Sequence, residues 1–167
     1  MNNPSRAAEL LSQTLQATQY IQADGVKVNA LSAIVSASAD LDDPSQTVEL
    51  LSEILQVTQN IQEDEAKLAA LSTIADAAAG LNDSSRAAEL LSQILQAAQN
   101  IREDGAKLIA LSTIFNAYDK LNNPSWTTEL LPLALQAAQD KYLCIENFNE
   151  TKCHSELGEE SQSPAKV

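Results

Sequence analysis

Hydroxyl groups recur along this chain at a fixed interval. Ser12, Ser52 and Ser92 stand forty residues apart, each closing the same tetrapeptide, Glu-Leu-Leu-Ser. A serine becomes a nucleophile only when a neighbouring base takes its proton. The one histidine, His154, lies far beyond the third of these serines, so no repeated base accompanies the repeated hydroxyl. The carboxylates, 23 in all, fall at expected helix starts and on expected polar faces. Helix-dipole and solubility roles account for them there. Cys144, Cys153 and His154 are the only cysteines and the only histidine. A structural zinc site takes four ligands, usually as closely spaced pairs, so free thiols in a tail are the expectation and no metal is implied. The chain has four glycines and no phosphate-cradling loop, no G-x-S-x-G and no H-E-x-x-H. Neither catalysis nor a cofactor is expected.

The chemistry left to such a chain is that of its surfaces, and the elements presenting them are written in the repetition itself. RAAELLSQTLQATQYI at 6–21 returns as QTVELLSEILQVTQNI at 46–61 and as RAAELLSQILQAAQNI at 86–101. A fourth version, WTTELLPLALQAAQD, occupies 126–140. The period is 40 residues, with no insertion or deletion over three units, 1–40, 41–80 and 81–120. A partial unit follows at 121–140, and residues 141–167 are unrelated to the repeat. Apolar residues make up 44% of the 167 and aromatics only 4%, so a core must be built from Leu, Ile, Val and Ala. With glycine scarce, this composition favours helix.

Each unit reads as two helices. In the middle unit Asp43 is an N-cap candidate ahead of Pro44, which suits the first helical position because its missing N–H costs nothing there. Asn3-Pro4 and Asn123-Pro124 repeat the signal, and Asp83-Ser84 keeps the cap without the proline. Leu51, Ile54, Leu55 and Ile61 line one side of the first helix, and Glu49, Ser52, Glu53, Gln56 and Gln59 the other. The second helix is expected to be capped by Asp64, with Leu68, Leu71, Ile74, Ala75 and Ala78 as its apolar face. Gly25 and Gly105 fall where the flanking units make the same turn. Seven helices result, at about 4–22, 25–40, 44–62, 65–80, 84–102, 105–120 and 124–140. One helical pair cannot bury both its apolar faces, whereas stacked pairs can. The expected fold is therefore all-α, an α-solenoid of antiparallel helix pairs. A continuous coiled coil is disfavoured by the turn signals every 20 residues, and a closed four-helix bundle by the identity of the units.

Taken as second helix followed by first, AKLIALSTIFNAYDKLNNPSWTTELLPLALQAA at 106–138 resembles a tetratricopeptide repeat (TPR). Leu111, Ile114, Phe115 and Tyr118 match the signature of that family's first helix. Leu121 with NNPS matches its turn, and Thr127, Leu131, Ala134 and Leu135 its second-helix packing positions. Leu71, Ile74, Ala75 and Ala78 with Ala87, Leu91, Ile94 and Leu95 fit better still. The period of 40 departs from the family's usual length of about 34 residues, and no proline closes the unit. A HEAT-like repeat is the alternative. The resemblance spans residues 1 to about 140 and implies a right-handed superhelix that binds partners on its concave face. It places Asn29, Ser32, Ser36, Ala39, Ala69, Ser72, Asp76, Ala79, Ile109, Ser112, Asn116, Asp119 and Lys120 on that face. Ser32, Ser72 and Ser112 would form a ladder of hydroxyls, while Asn29/Ala69/Ile109 and Ser36/Asp76/Asn116 differ between units.

The fourth copy decays. Pro132 replaces the recurrent serine inside an expected helix, where a proline typically costs about 3 kcal/mol, and a kink or break is expected there. Trp126 takes the position of Arg6, Gln46 and Arg86. Tyr142, Leu143, Ile145 and Phe148 offer apolar cover, so the segment after Asp140 is expected to act as a C-terminal cap with Trp126 at its edge. The alternative is an exposed Trp126 anchoring a partner. From about Asn149 the polar, acidic text is expected to be disordered.

The net charge is −13, and it is uneven. Asp42, Asp43, Glu49, Glu53, Glu63, Asp64, Glu65 and Asp76 face only Lys67 in the middle unit, which is −7, whereas the units on either side are −1 each. Such a surface repels nucleic acid and anionic membranes. It suits either solubility or a basic partner. No signal peptide and no membrane-length apolar run is evident, so a cytoplasmic address is expected. The leading expectation of function is a protein-interaction scaffold that takes a peptide or protein segment on the concave face. The alternatives are a structural module that self-associates through 4–22, and a fragment of a larger repeat protein.

Overall fold

Repeated apolar stripes produce repeated helices. The computed structural model describes residues 4–41 and 43–121, together with Pro132. Among these residues lie six α-helices: α1 (Pro4–Thr18), α2 (Asp24–Ser38), α3 (Pro44–Gln59), α4 (Asp64–Ala79), α5 (Ser84–Gln99) and α6 (Asp104–Lys120). Apart from Pro132 itself, the expected helix at 124–140, with the neighbours of Pro132 where a kink is expected, the C-terminal cap and the surroundings of Trp126 lie outside the described residues.

Two expected caps form as the sequence implies. Asp43 accepts from the Ser45 amide at 2.9 Å. Asp83 accepts from the Ser85 and Arg86 amides, both at 3.1 Å. Each satisfies N–H groups that the first turn leaves without an intrahelical partner. The odd-numbered helices end about three residues earlier than their apolar pattern runs, at Thr18, Gln59 and Gln99. Ile21, Ile61 and Ile101 therefore belong to connectors rather than to helices. Ile61 and Ile101 are nonetheless fully buried, so the pattern reported burial and not helix.

Asp64 is not the N-cap of α4. Glu63 takes that position, and Asp64 is the first helical residue. Gly25 and Gly105 likewise sit inside the first turns of α2 and α6, not in the turns before them. The Asp64 carboxylate is turned toward the next unit. Its Oδ2 accepts from the backbone amides of Arg102 at 3.1 Å and Glu103 at 2.9 Å. Asp24 does the same one unit earlier, with Gln62 at 2.8 Å and Glu63 at 3.0 Å. Asp24 and Asp64, which open α2 and α4, thus each clasp the connector 38 and 39 residues on. The Arg102 side chain adds a bond to the Gln62 carbonyl at 3.2 Å, and Arg86 reaches back to the Ser45 hydroxyl at 2.7 Å.

The apolar interior follows the same translation. Each helix packs only on its nearest and next-nearest neighbours in chain order, and no contact joins α1 or α2 to α5 or α6. This neighbour packing is consistent with a helical repeat and leaves no closed bundle among the described helices. Leu51, Ile54, Leu55, Leu71, Ile74, Ala75 and Ala78 are buried as expected, as are Leu91, Ile94 and Leu95. Leu68 is only partly buried, against the rim of the core. Leu50 and Val57 are buried too, on a second side of α3, because an internal helix is covered by the unit before it and the unit after it. Tyr118 is the one buried aromatic among the described residues, and its hydroxyl lies 2.8 Å from that of Ser92 and 3.1 Å from the Ala88 carbonyl. The three serines that open the sequence argument are thereby employed. Ser52 and Ser92 bond back to the Val48 and Ala88 carbonyls, and Ser12 donates to Glu53 of the next unit.

Two outcomes follow from the clasp. Replacing Asp64 with alanine leaves the Arg102 and Glu103 amides without their acceptor, and a loss of about 1–2 kcal/mol is expected, comparable to deleting a helix cap. Urea unfolding measures it, and no loss would show that water serves those amides equally well. The second outcome concerns pH. The Glu63 amide holds the Asp24 carboxyl below its ordinary 3.8, opposed by desolvation and helped by the Gln62 amide and by Lys27 and Lys67. A carboxyl lowered by folding binds its proton more weakly in the folded state, so its stabilisation is present above the unfolded value and fades as pH falls through the folded one. The stability difference between the natural chain and Asp24→Asn should therefore shrink below about pH 4, and a difference constant with pH would contradict the clasp.

Candidate interaction surface

The residues assigned to the concave face lie on one row of helices. α2, α4 and α6 pack in series, and they do so more extensively than α1, α3 and α5 do among themselves. Small residues permit that approach: Ala70, Ala75 and Ala78 of α4 and Ala106, Ala110 and Ala117 of α6 are all buried. The outward side of this row is set by what the inward side must bury.

Asn29, Ser36, Ala39, Ala69, Asp76, Ile109, Ser112, Asn116, Asp119 and Lys120 are exposed, and Ser32, Ser72 and Ala79 are half-buried. None belongs to the core. The hydroxyl ladder is unequal. Ser112 is turned onto its own helix, donating to the Ile109 carbonyl at 2.8 Å, and Ser36 bonds to the Ser32 carbonyl at 3.0 Å. The hydroxyls of Ser32 and Ser72, both half-buried, make no such bond among the described residues.

Between α2 and α4 the row opens into two depressions, one at each end. The first, about 520 Å³, is lined by Val26, Asn29, Ala66 and Ala69 with Glu63 and Glu65 at its margin. The second, about 330 Å³, is lined by Ser38, Ala39, Pro44, Asp76, Gly80 and Asn82 among others. The structure therefore brings Asn29 together with Ala69, and Ala39 together with Asp76. Ile109, Ser112, Asn116 and Asp119 stay on α6 and line neither depression.

Part of the middle unit's negative charge lies at these depressions. Of the acids in the middle unit, Asp43 serves a cap and Asp64 the clasp. The carboxylates of Glu63 and Glu65 have no hydrogen-bond or ion-pair partner among the described residues. Asp76 takes the ammonium of Lys120 at 3.2 Å across to α6, with both side chains more than half exposed. Such an exposed pair is worth little, typically under about 1 kcal/mol, and can exchange its cation.

Glu63, Glu65 and Val26 did not appear among the expected concave residues. Glu65 carried a signal: the matching positions are Gly25 and Gly105, so only the middle unit has a carboxylate there. Among the described residues there is no group of three His, Cys, Asp or Glu side chains placed to hold a metal ion. No helix among them is long and apolar enough to cross a membrane. Comparison with protein-family models, with curated proteins and with solved structures gives no match to this chain.

Proposed function

We propose that this chain is a non-catalytic, TPR-like scaffold that binds a basic peptide or protein segment along the row formed by α2, α4 and α6. The observation that carries this reading is the placement of Glu63, Glu65 and Asp76 at the two depressions between α2 and α4. Three carboxylates of one helix and its cap are exposed there; those of Glu63 and Glu65 have no partner among the described residues, and Asp76 holds only the exposed Lys120. Lys120 on Asp76 illustrates the chemistry: a flexible ammonium comes to rest on that carboxylate from a neighbouring helix. A lysine or arginine of a bound segment would take the same place.

Further support comes from packing. A row of helices in closer mutual contact than its partner row curves toward itself, as in solenoids whose inner helices form the binding surface. Small side chains at Ala39, Ala69 and Ala79 leave room for a backbone to approach. The serines offer hydroxyls as bonding partners, and the variable positions between them give each unit its own chemistry. Complementary charge of this kind sets encounter rate and specificity more than affinity.

A lysine- and arginine-rich peptide titrated calorimetrically into the protein should bind, and added salt should weaken it. Glu65→Lys and Asp76→Lys should each weaken binding by about five- to tenfold, the scale of one solvent-exposed charge pair reversed to repulsion. Circular dichroism should remain unchanged, since both side chains are exposed. Equal affinity for an acidic peptide, or unchanged binding in both variants, would refute the assignment.

A further inference from the structure

The two depressions between α2 and α4 lie at opposite ends of those helices, and helix ends differ in charge. The depression of about 520 Å³ is at the N-terminal ends, where α2 begins at Asp24 and α4 at Asp64. First turns carry partial positive charge, which offsets the carboxylates of Glu63 and Glu65. The depression of about 330 Å³ is at the C-terminal ends, beside Ser38 and Ala39 of one helix and Ala77 and Gly80 of the other. Last turns present partly negative carbonyls. Neither of these last turns contains a basic residue, and Asp76 adds a full negative charge. The start of α3 also borders the depression, but Asp43 already caps that end.

A cation rests on this carboxylate. Lys120 reaches across from α6, and its Nζ lies 3.2 Å from Asp76 Oδ1. That contact uses one oxygen, and Oδ2 makes no bond among the described residues. The positions equivalent to Lys120 in the other units are Asp40 and Gly80, and those equivalent to Asp76 are Ser36 and Asn116. Acid and base are therefore each particular to one unit. Leu41, Pro44 and Leu81 give the depression an apolar wall beside the charge.

We propose that this depression is an arginine anchor. An arginine of the bound basic segment lays its stem on Leu41, Pro44 and Leu81 and brings its guanidinium to Asp76, displacing Lys120. The inference rests on the scaffold reading above and narrows it to one residue type at one end of the row. Lysine is the poorer occupant for a physical reason. Its ammonium offers Asp76 the same kind of contact that Lys120 already makes, and Lys120 has the advantage of being tethered in the same molecule. A guanidinium is a planar fork that takes both carboxylate oxygens. Its remaining N–H groups suit the side-chain oxygen of Asn82 and the carbonyls at the two helix ends. The tethered lysine thus sets a threshold that arginine passes and lysine does not.

Oligo-arginine and oligo-lysine peptides of equal length, titrated calorimetrically into the full chain, test this. The arginine peptide should bind about fivefold tighter or more. Asp76→Asn should remove most of that preference, whereas Glu65→Gln should weaken both peptides and leave their ratio. Lys120→Gln should tighten the arginine peptide about two- to fivefold, the scale of one exposed ion pair no longer in competition. Circular dichroism should be unchanged in all three variants, since these side chains are exposed. Equal affinity for the two peptides, a preference that survives Asp76→Asn, or a Lys120→Gln variant that binds no better would each overturn the anchor. Should both peptides still bind and Glu65→Lys weaken them, the scaffold reading stands without it. Binding of neither peptide would end both.

Discussion

A carboxylate at the start of one helix, holding two backbone amides 38 and 39 residues away, fixes how each unit sits on the next. The apolar contacts between units are larger in area, but burial of Leu, Ile and Ala is non-directional and tolerates sliding. Asp24 and Asp64 are directional. Each ties the first turn of an even-numbered helix to the connector between the next odd and even helices, with both bonds between 2.8 and 3.1 Å. The connectors at 60–63 and 100–103 contain neither glycine nor proline to stiffen them. The clasp supplies what their own composition does not.

The interaction surface depends on that register. The depressions between α2 and α4 exist because α4 is held beside α2 at a set offset, which places Glu65 near Asn29 and Asp76 near Ala39. The Asp76–Lys120 pair spans α4 and α6 in the same way. Without a fixed offset these residues would share a helix row but no common site. The same reasoning separates the first unit from the others. Among the described residues no carboxylate bonds the Gln22 or Ala23 amide, whereas the later connectors are held.

Much of the fold was legible in the sequence, for local reasons. Asp43 and Asp83 announce caps because the residues they bond lie two and three positions on, and the apolar stripes of α3 to α6 announce burial because helical periodicity is local. Asp64 misled because its local context resembles that of Asp43, while the amides it binds lie nearly one full period away. Leu50 and Val57 were missed because a helix covered by two neighbouring units is buried on more sides than a single stripe suggests. Connector residues such as Ile61 extended the apparent helices because burial in a turn and burial on a helix leave the same letters. For the site, the choice of the row of α2, α4 and α6 came from the resemblance to the tetratricopeptide repeat. The part played by Glu63 and Glu65 did not, since it depends on where their neighbours on α2 come to rest.

Native-state amide hydrogen exchange tests the clasp most directly, because equivalent connectors with and without it occur in one molecule. The amides of Glu63 and Glu103 accept protection from Asp24 and Asp64, whereas the Ala23 amide has no acceptor among the described residues. Glu63 and Glu103 should exchange much more slowly than Ala23, with rates tracking opening of the neighbouring unit. Exchange at Glu63 and Glu103 as fast as at Ala23 would contradict the claim that these aspartates hold the units in register.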